Sequence, residues 1–158
     1  MHKQTDKKQI PMTISDFITR ILVALAAGLL IGIEREWHNK SAGLRTNMLV
    51  AIGSALYVLL SIQLTEKNGD VTRIIGQVVT GIGFLGAGII FKEGLNIHGL
   101  TTAATVWCAS ALGCTAAAGF YSESLIGTLL VMSINWMAVP FDKLLTKMKR
   151  MNNKENYE

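Results

Sequence analysis

The chain has 158 residues, of which half are hydrophobic and 16% are charged, with a net charge of +4. Soluble domains carry about a quarter charged residues, so this composition excludes an ordinary soluble domain. The charges are also clumped: none falls in 47–64, 74–91, 94–122 or 124–141. A helix needs roughly 20 apolar residues to cross a hydrocarbon core about 30 Å thick. The reading is an all-α, polytopic membrane helix bundle with about five transmembrane helices.

Residues 1–15 form a short basic tail. The first span is placed at 16–33, with Arg20 one turn inside, where it can snorkel to the interface. No small-x-small pattern closes this run, and Glu34-Arg35-Glu36 occupies the place a cleavage site would need, so it reads as a retained anchor. The polar connector 34–46 follows, then a second span at 47–64. The third span, 72–91, holds Gly76, Gly81, Gly83, Gly86 and Gly88. Each glycine costs a helix about 1 kcal/mol relative to alanine, so the run implies either close packing or a deliberate break. A second polar connector, 92–102, leads to spans at 101–120 and 122–140. Pro140 ends the fifth, since proline cannot continue the hydrogen-bond ladder.

The tail 141–158 contains "FDKLLTKMKRM", readable as a basic amphipathic turn on an anionic leaflet or as a solvated tail. The organisation is therefore one membrane domain, 16–140, between two tails. With the N-terminus outside, nine basic residues lie inside (Arg35, Lys40, Arg45, Lys92 and five in the tail) against six outside. The positive-inside rule then favours an extracytoplasmic N-terminus and a cytoplasmic C-terminus in a bacterial plasma membrane, although Lys3, Lys7 and Lys8 count the other way.

Inserted helices associate through close backbone contact. Ala24, Gly28 and Gly32 recur at intervals of four in the first span, and Thr105, Ala109, Gly113 and Ala117 do so in the fourth. Gly28, Gly32, Gly81, Gly83, Gly86, Gly88 and Gly113 are the expected packing positions. The fifth span lacks such a stripe and is expected at the periphery. Cys108 and Cys114, six apart, face different ways on one helix and read as small buried residues.

Gly43–Leu56, "GLRTNMLVAIGSAL", matches Gly99–Leu112, "GLTTAATVWCASAL", at seven of fourteen positions with an offset of 56. The same offset aligns Leu29, Gly32 and Ile33 with Leu85, Gly88 and Ile89. Two tandem hairpins enter from the same side, so the repeat is parallel and both connectors share one face. That face collects Glu34, Arg35, Glu36, Arg45, Glu93 and Thr101, with His38 one turn beyond Glu34. Glu34 and Glu93 are expected to end equivalent helices close together. Two readings stay open: a self-neutralising ion-pair cluster at the helix ends, or a cation or partner site built on the two carboxylates. Magnesium would need only carboxylates with retained waters. A Glu-x-x-x-His pair is half the usual zinc set, so the metal stays unknown.

These segments resemble the MgtC/SapB family of bacterial membrane proteins. The likeness rests on "GLLIGIEREW", "AGLRTNMLVAIGSAL", "VVTGIGFLGAGIIFKEG" and "GLTTAATVWCASALG" and covers about Phe17 to Gly119. It implies a bacterial inner-membrane protein tied to growth in low magnesium and, in pathogens, to survival inside host cells. A regulatory role on other membrane machinery, including restraint of the proton-driven ATP synthase, goes with it. Two departures stand out. Virulence-type members carry a soluble C-terminal domain, whereas this chain runs eighteen residues beyond Pro140, as a short form would. They also have "GLNTAAT" where this chain has "GLTTAAT", which puts Thr101 in place of an asparagine.

The functional expectation is a regulatory protein tied to magnesium limitation or membrane energetics. Its expected partners are the lipid bilayer, other membrane proteins and further copies of itself, with no nucleic acid. The alternative is a transporter or channel for magnesium or another cation. Ion pathways place ionisable residues at mid-membrane, and the polar candidates there are only Gln77 and Asn135. Glycine-broken helices could still coordinate an ion through carbonyls. No nucleophile–base pair, phosphate loop or metal quartet is visible, so neither an enzyme nor a cofactor is expected.

Overall fold

The computed structural model describes residues 12–64 and 70–137. The expected N-terminal tail, Pro140 stop and basic C-terminal tail lie largely or wholly outside the described residues. The protein is an all-α membrane bundle, and its first four helices are long and apolar enough to cross a membrane.

Helix α1 spans Ile14–Trp37. A capping box starts it: Thr13 Oγ1 accepts from the Asp16 N–H, and the Asp16 carboxylate accepts from the Thr13 N–H. The helix does not stop at Ile33, as the hydropathy suggests. Glu34, Arg35 and Glu36 form its last turn rather than a connector. Helix α2, Leu44–Leu64, begins where Glu36 Oε2 accepts the Leu44 N–H at 3.1 Å, a cap supplied by the preceding helix. Helix α3, Val71–Ile89, is capped by the Asp70 carboxylate accepting from the Thr72 N–H.

The second connector is not simply polar coil. Strands β1, Phe91–Glu93, and β2, Asn96–His98, pair antiparallel, Phe91 opposite His98 and Glu93 opposite Asn96. Gly94 turns the hairpin with φ of 59°, as the first position of a two-residue loop requires. Helix α4 spans Leu100–Ala117, and helix α5 is helical over residues 121–137.

Helices α2 and α4 form the centre, with α1 packed on both. Three glycines bring the backbones of these three helices together. A Cβ on Gly28 would lie 2.7 Å from Asn47 O, one on Gly32 would lie 2.7 Å from Leu44 Cα, and one on Gly113 would overlap the backbone of Ala51. Between α2 and α4, Ser54 Oγ and Ser110 Oγ are 2.7 Å apart. They are 56 residues apart, so each serine touches its own counterpart in the repeat, as a residue on a pseudo-twofold axis does.

The glycines of α3 behave differently from the expectation. A Cβ on Gly81, Gly83 or Gly88 would meet nothing within 4 Å, and one on Gly86 would make only an ordinary contact with Ala103. Helix α3 packs instead through Val71, Ile75, Val78, Ile82 and Ile89, a helical stripe that misses those glycines. Helix α5 is also more engaged than a peripheral helix need be. Ser124, Thr128 and Asn135, at intervals of four and seven, are all buried, and Ser124 Oγ donates to Leu112 O of α4. Arg20 does not simply snorkel: its Nη1 donates to Ala117 O at 2.6 Å, placing a cation at the C-terminal end of α4. Cys108 is half-buried and Cys114 buried, and both are free thiols.

Candidate functional site

The last turn of α1 carries two charges into the bundle. Glu34 and Arg35 are 9% and 2% exposed, an unusual depth for either residue type. Ile31 and Arg35 continue the buried face of Ala24, Ala27 and Gly28, while Glu34 turns towards α5. Glu34 Oε2 accepts from Asn135 Nδ2 at 3.0 Å. Asn135 Oδ1 in turn lies 3.4 Å from Thr105 Oγ1, whose single proton is shared between it and the nearer Thr101 O at 2.9 Å. The chain Thr105–Asn135–Glu34 therefore ties α4 and α5 to the end of α1.

His38 closes the other side. Its Nδ1 lies 2.8 Å from Glu34 O and 3.1 Å from Glu34 Oε1. Only the first has hydrogen-bond geometry, so Oε1 keeps no directed partner among the described residues. Arg35 Nη1 stands 3.8 Å from Glu34 Oε2, a loose ion pair. Asn47 is fully buried: its Nδ2 donates to Ala42 O and Gly43 O, while its Oδ1 has no partner among the described residues.

The six polar residues grouped in the sequence divide in two. Glu34 and Arg35 are buried side by side. Glu36 is exposed and holds the start of α2. Arg45 and Thr101 are exposed in the first turns of α2 and α4. Glu93 is 82% exposed on the hairpin, with His98 Nε2 3.8 Å away. The offset of 56 explains why Glu93 does not join Glu34: it equates Glu34 with Ile90, and Glu93 with Trp37. Among the described residues, no three His, Cys, Asp or Glu side chains come together as a metal site. Thr105, Asn135 and Asn47 are the members that the polar-connector reading misses. The spacing of Ser124, Thr128 and Asn135 on one helical face was the available signal for Asn135.

A bundle of apolar helices joined by short connectors, with an acid–arginine pair buried at the end of its first helix, defines a multi-helix integral membrane protein. The model of the MgtC family matches residues 21–144, and this chain belongs to that family. It is 48% identical over 121 residues to an uncharacterized protein of Synechocystis sp., covering 77% of this chain and 51% of that one. It is 47% identical over 122 residues to Protein MgtC of Brucella abortus, covering 77% and 51%. With Protein MgtC of Salmonella typhimurium it shares 44% identity over 124 residues, 78% and 53% of the two chains. The chain thus spans about half the length of these relatives. No solved structure matches it significantly.

Proposed function

We propose that this protein is a regulatory component of the bacterial plasma membrane that acts by lateral contact with other membrane proteins. The setting is the magnesium limitation or membrane energetics implied by the family resemblance. The observation that supports it is the outer face of α3. Gly76, Thr80, Gly83 and Ala87, at spacings of four, three and four, are all exposed, and a Cβ on Gly76 or Gly83 would meet nothing within 4 Å. In hydrocarbon such a stripe lets another helix approach closely, and close approach is what drives helix association there. Single cysteines at Thr80 and Ala87, in a background with Cys108 and Cys114 replaced, test this by crosslinking in native membranes. A discrete heterologous adduct is expected at both positions. Adducts no stronger than those of a cysteine at Leu130 would sink the reading.

The second reading, a cation transporter, is favoured by the buried carboxylate of Glu34, since ionisable groups inside membrane bundles often mark ion paths. Against it, Asn135 occupies one oxygen and Arg35 supplies a fixed positive charge beside the same group. Purified protein in liposomes is expected to move no magnesium above background, and saturable, protein-dependent uptake would promote this alternative. The topology that goes with the first reading has five spans and a cytoplasmic C-terminus. Reporters fused at Glu158 and Asn68 should lie inside and outside respectively, and the same compartment for both would overturn it.

A further inference from the structure

Arg35 has hydrogen-bonding capacity that the described residues do not use. Its Nη1 faces Glu34, whereas Nε and Nη2 have no partner although the side chain is 2% exposed. Nε–H and the adjacent Nη2–H form the side-on fork with which arginine grips two oxygens of one carboxylate or phosphate. On a planar guanidinium that edge lies opposite Nη1. A bound anion would therefore sit on the far side of the guanidinium from Glu34.

Buried donors carry the cost of lost hydration unless something replaces the water. A single water offers one oxygen and no charge, and Glu34 is already shared with Asn135 and stands 3.8 Å from Arg35. Among the described residues the guanidinium therefore has one loose counter-anion and no acceptor for Nε or Nη2. The surroundings suit an anion that lives at a membrane surface. Trp37 is 83% exposed at the end of α1, and Lys40 and Arg45 are exposed on the connector and the first turn of α2. Interfacial aromatics and basic residues of this kind sit at the depth of lipid headgroups.

We propose that Arg35 anchors a phosphate-binding site, with two phosphoryl oxygens on Nε and Nη2 and with Lys40 and Arg45 drawing the anion in. The phosphate comes from a phospholipid headgroup or from solution. This inference does not depend on the α3 face or on the regulatory reading.

The test uses the full chain in a phosphate-free glycoside detergent. Its melting temperature is followed while inorganic phosphate is titrated in one arm and phosphatidylglycerol in the other, with diacylglycerol as a phosphate-free control. A saturable rise is expected with at least one phosphate source and none with diacylglycerol. A rise confined to phosphatidylglycerol identifies a headgroup site, and a rise with inorganic phosphate identifies a free-anion site. Arg35→Lys keeps the charge but loses the fork, so it should weaken the midpoint about tenfold or more. Lys92→Ala, on the exposed hairpin, should leave it unchanged. Should Arg35→Lys fail to fold, the Arg35 Nε–H resonance of the wild-type protein serves instead, and it should shift with saturation. No saturable rise in either arm, an equal rise in Arg35→Lys, or an unmoved Nε–H resonance would overturn the proposal.

Discussion

Gly32 and Gly88 stand 56 residues apart, at equivalent places in two matching hairpins. A Cβ on Gly32 would press within 2.7 Å of Leu44 Cα, whereas one on Gly88 would meet open space. The difference originates in the connectors. Residues 38–43 join α1 to α2 in a short loop, and Glu36 clamps it by capping Leu44. Residues 90–99 hold a β-hairpin between α3 and α4, and every residue of its two strands is exposed. Helix α5 adds to the asymmetry, because Asn135 reaches Glu34 on α1. A repeated sequence can thus specify the same helices twice, while connector length and a covering helix decide which pair closes.

The largest effects should come from adding a methyl group where backbones touch. Gly113→Ala would drive Cβ into the Ala51 backbone, which cannot yield as a flexible side chain would. Overpacking of this kind costs about 1–3 kcal/mol and sometimes more. Gly32→Ala should cost a similar amount, whereas Gly88→Ala should be neutral or stabilise by up to about 1 kcal/mol through helix propensity. Thermal unfolding in detergent measures all three. Equal losses for Gly32→Ala and Gly88→Ala would remove the contrast between the two hairpins.

The two carboxylates come next. The Glu34–Arg35 pair is loose at 3.8 Å, so Glu34→Gln is expected to cost about 1–2 kcal/mol, chiefly by weakening the charge-assisted hydrogen bond from Asn135. Glu93→Gln, on an exposed strand, should stay within about 0.5 kcal/mol. The sequence pattern leads one to expect coupling between them, but their separation in the bundle leads to additivity. Chemical denaturation of the singles and the double decides it, and a large interaction energy would mean that Glu93 reaches Glu34 after all.

Much of the fold was legible because membrane spans are read from uninterrupted apolar runs. The spans expected at 47–64, 72–91 and 101–120 fall close to α2, α3 and α4. The end of α1 was missed because backbone hydrogen bonds, not side-chain polarity, end a helix, and α5 supplies Asn135 to receive Glu34 inside the bundle. Hydropathy cannot see that partner, which lies 101 residues away. The same limit hid the division of the polar cluster, since sharing a face of the membrane does not bring side chains within reach. Glycine counts also misled for α3: the number of small residues says that a face can be approached, and only the angular position says by what.

The smallest effect tests the relation between the halves most directly. Ser54 and Ser110 are 4% and 3% exposed, and each is the other's hydrogen-bond partner at 2.7 Å. Interhelical hydrogen bonds in membrane proteins contribute about 0.6 kcal/mol on average and up to about 1.7. Each single change, Ser54→Ala or Ser110→Ala, removes the bond and leaves one buried hydroxyl without its partner. Either hydroxyl can then turn to a backbone carbonyl of its own helix, which limits the loss. The double variant removes both polar groups together, so it should be no worse than the worse single, with a coupling energy of about 0.5–1.5 kcal/mol. If the serines mark a pseudo-twofold axis, the two singles should also lose nearly equal stability, because each sits in the counterpart of the other's environment. Unequal singles with strong coupling would keep the α2–α4 contact but break the symmetry. Additive losses would show that the two hydroxyls are neighbours without being partners.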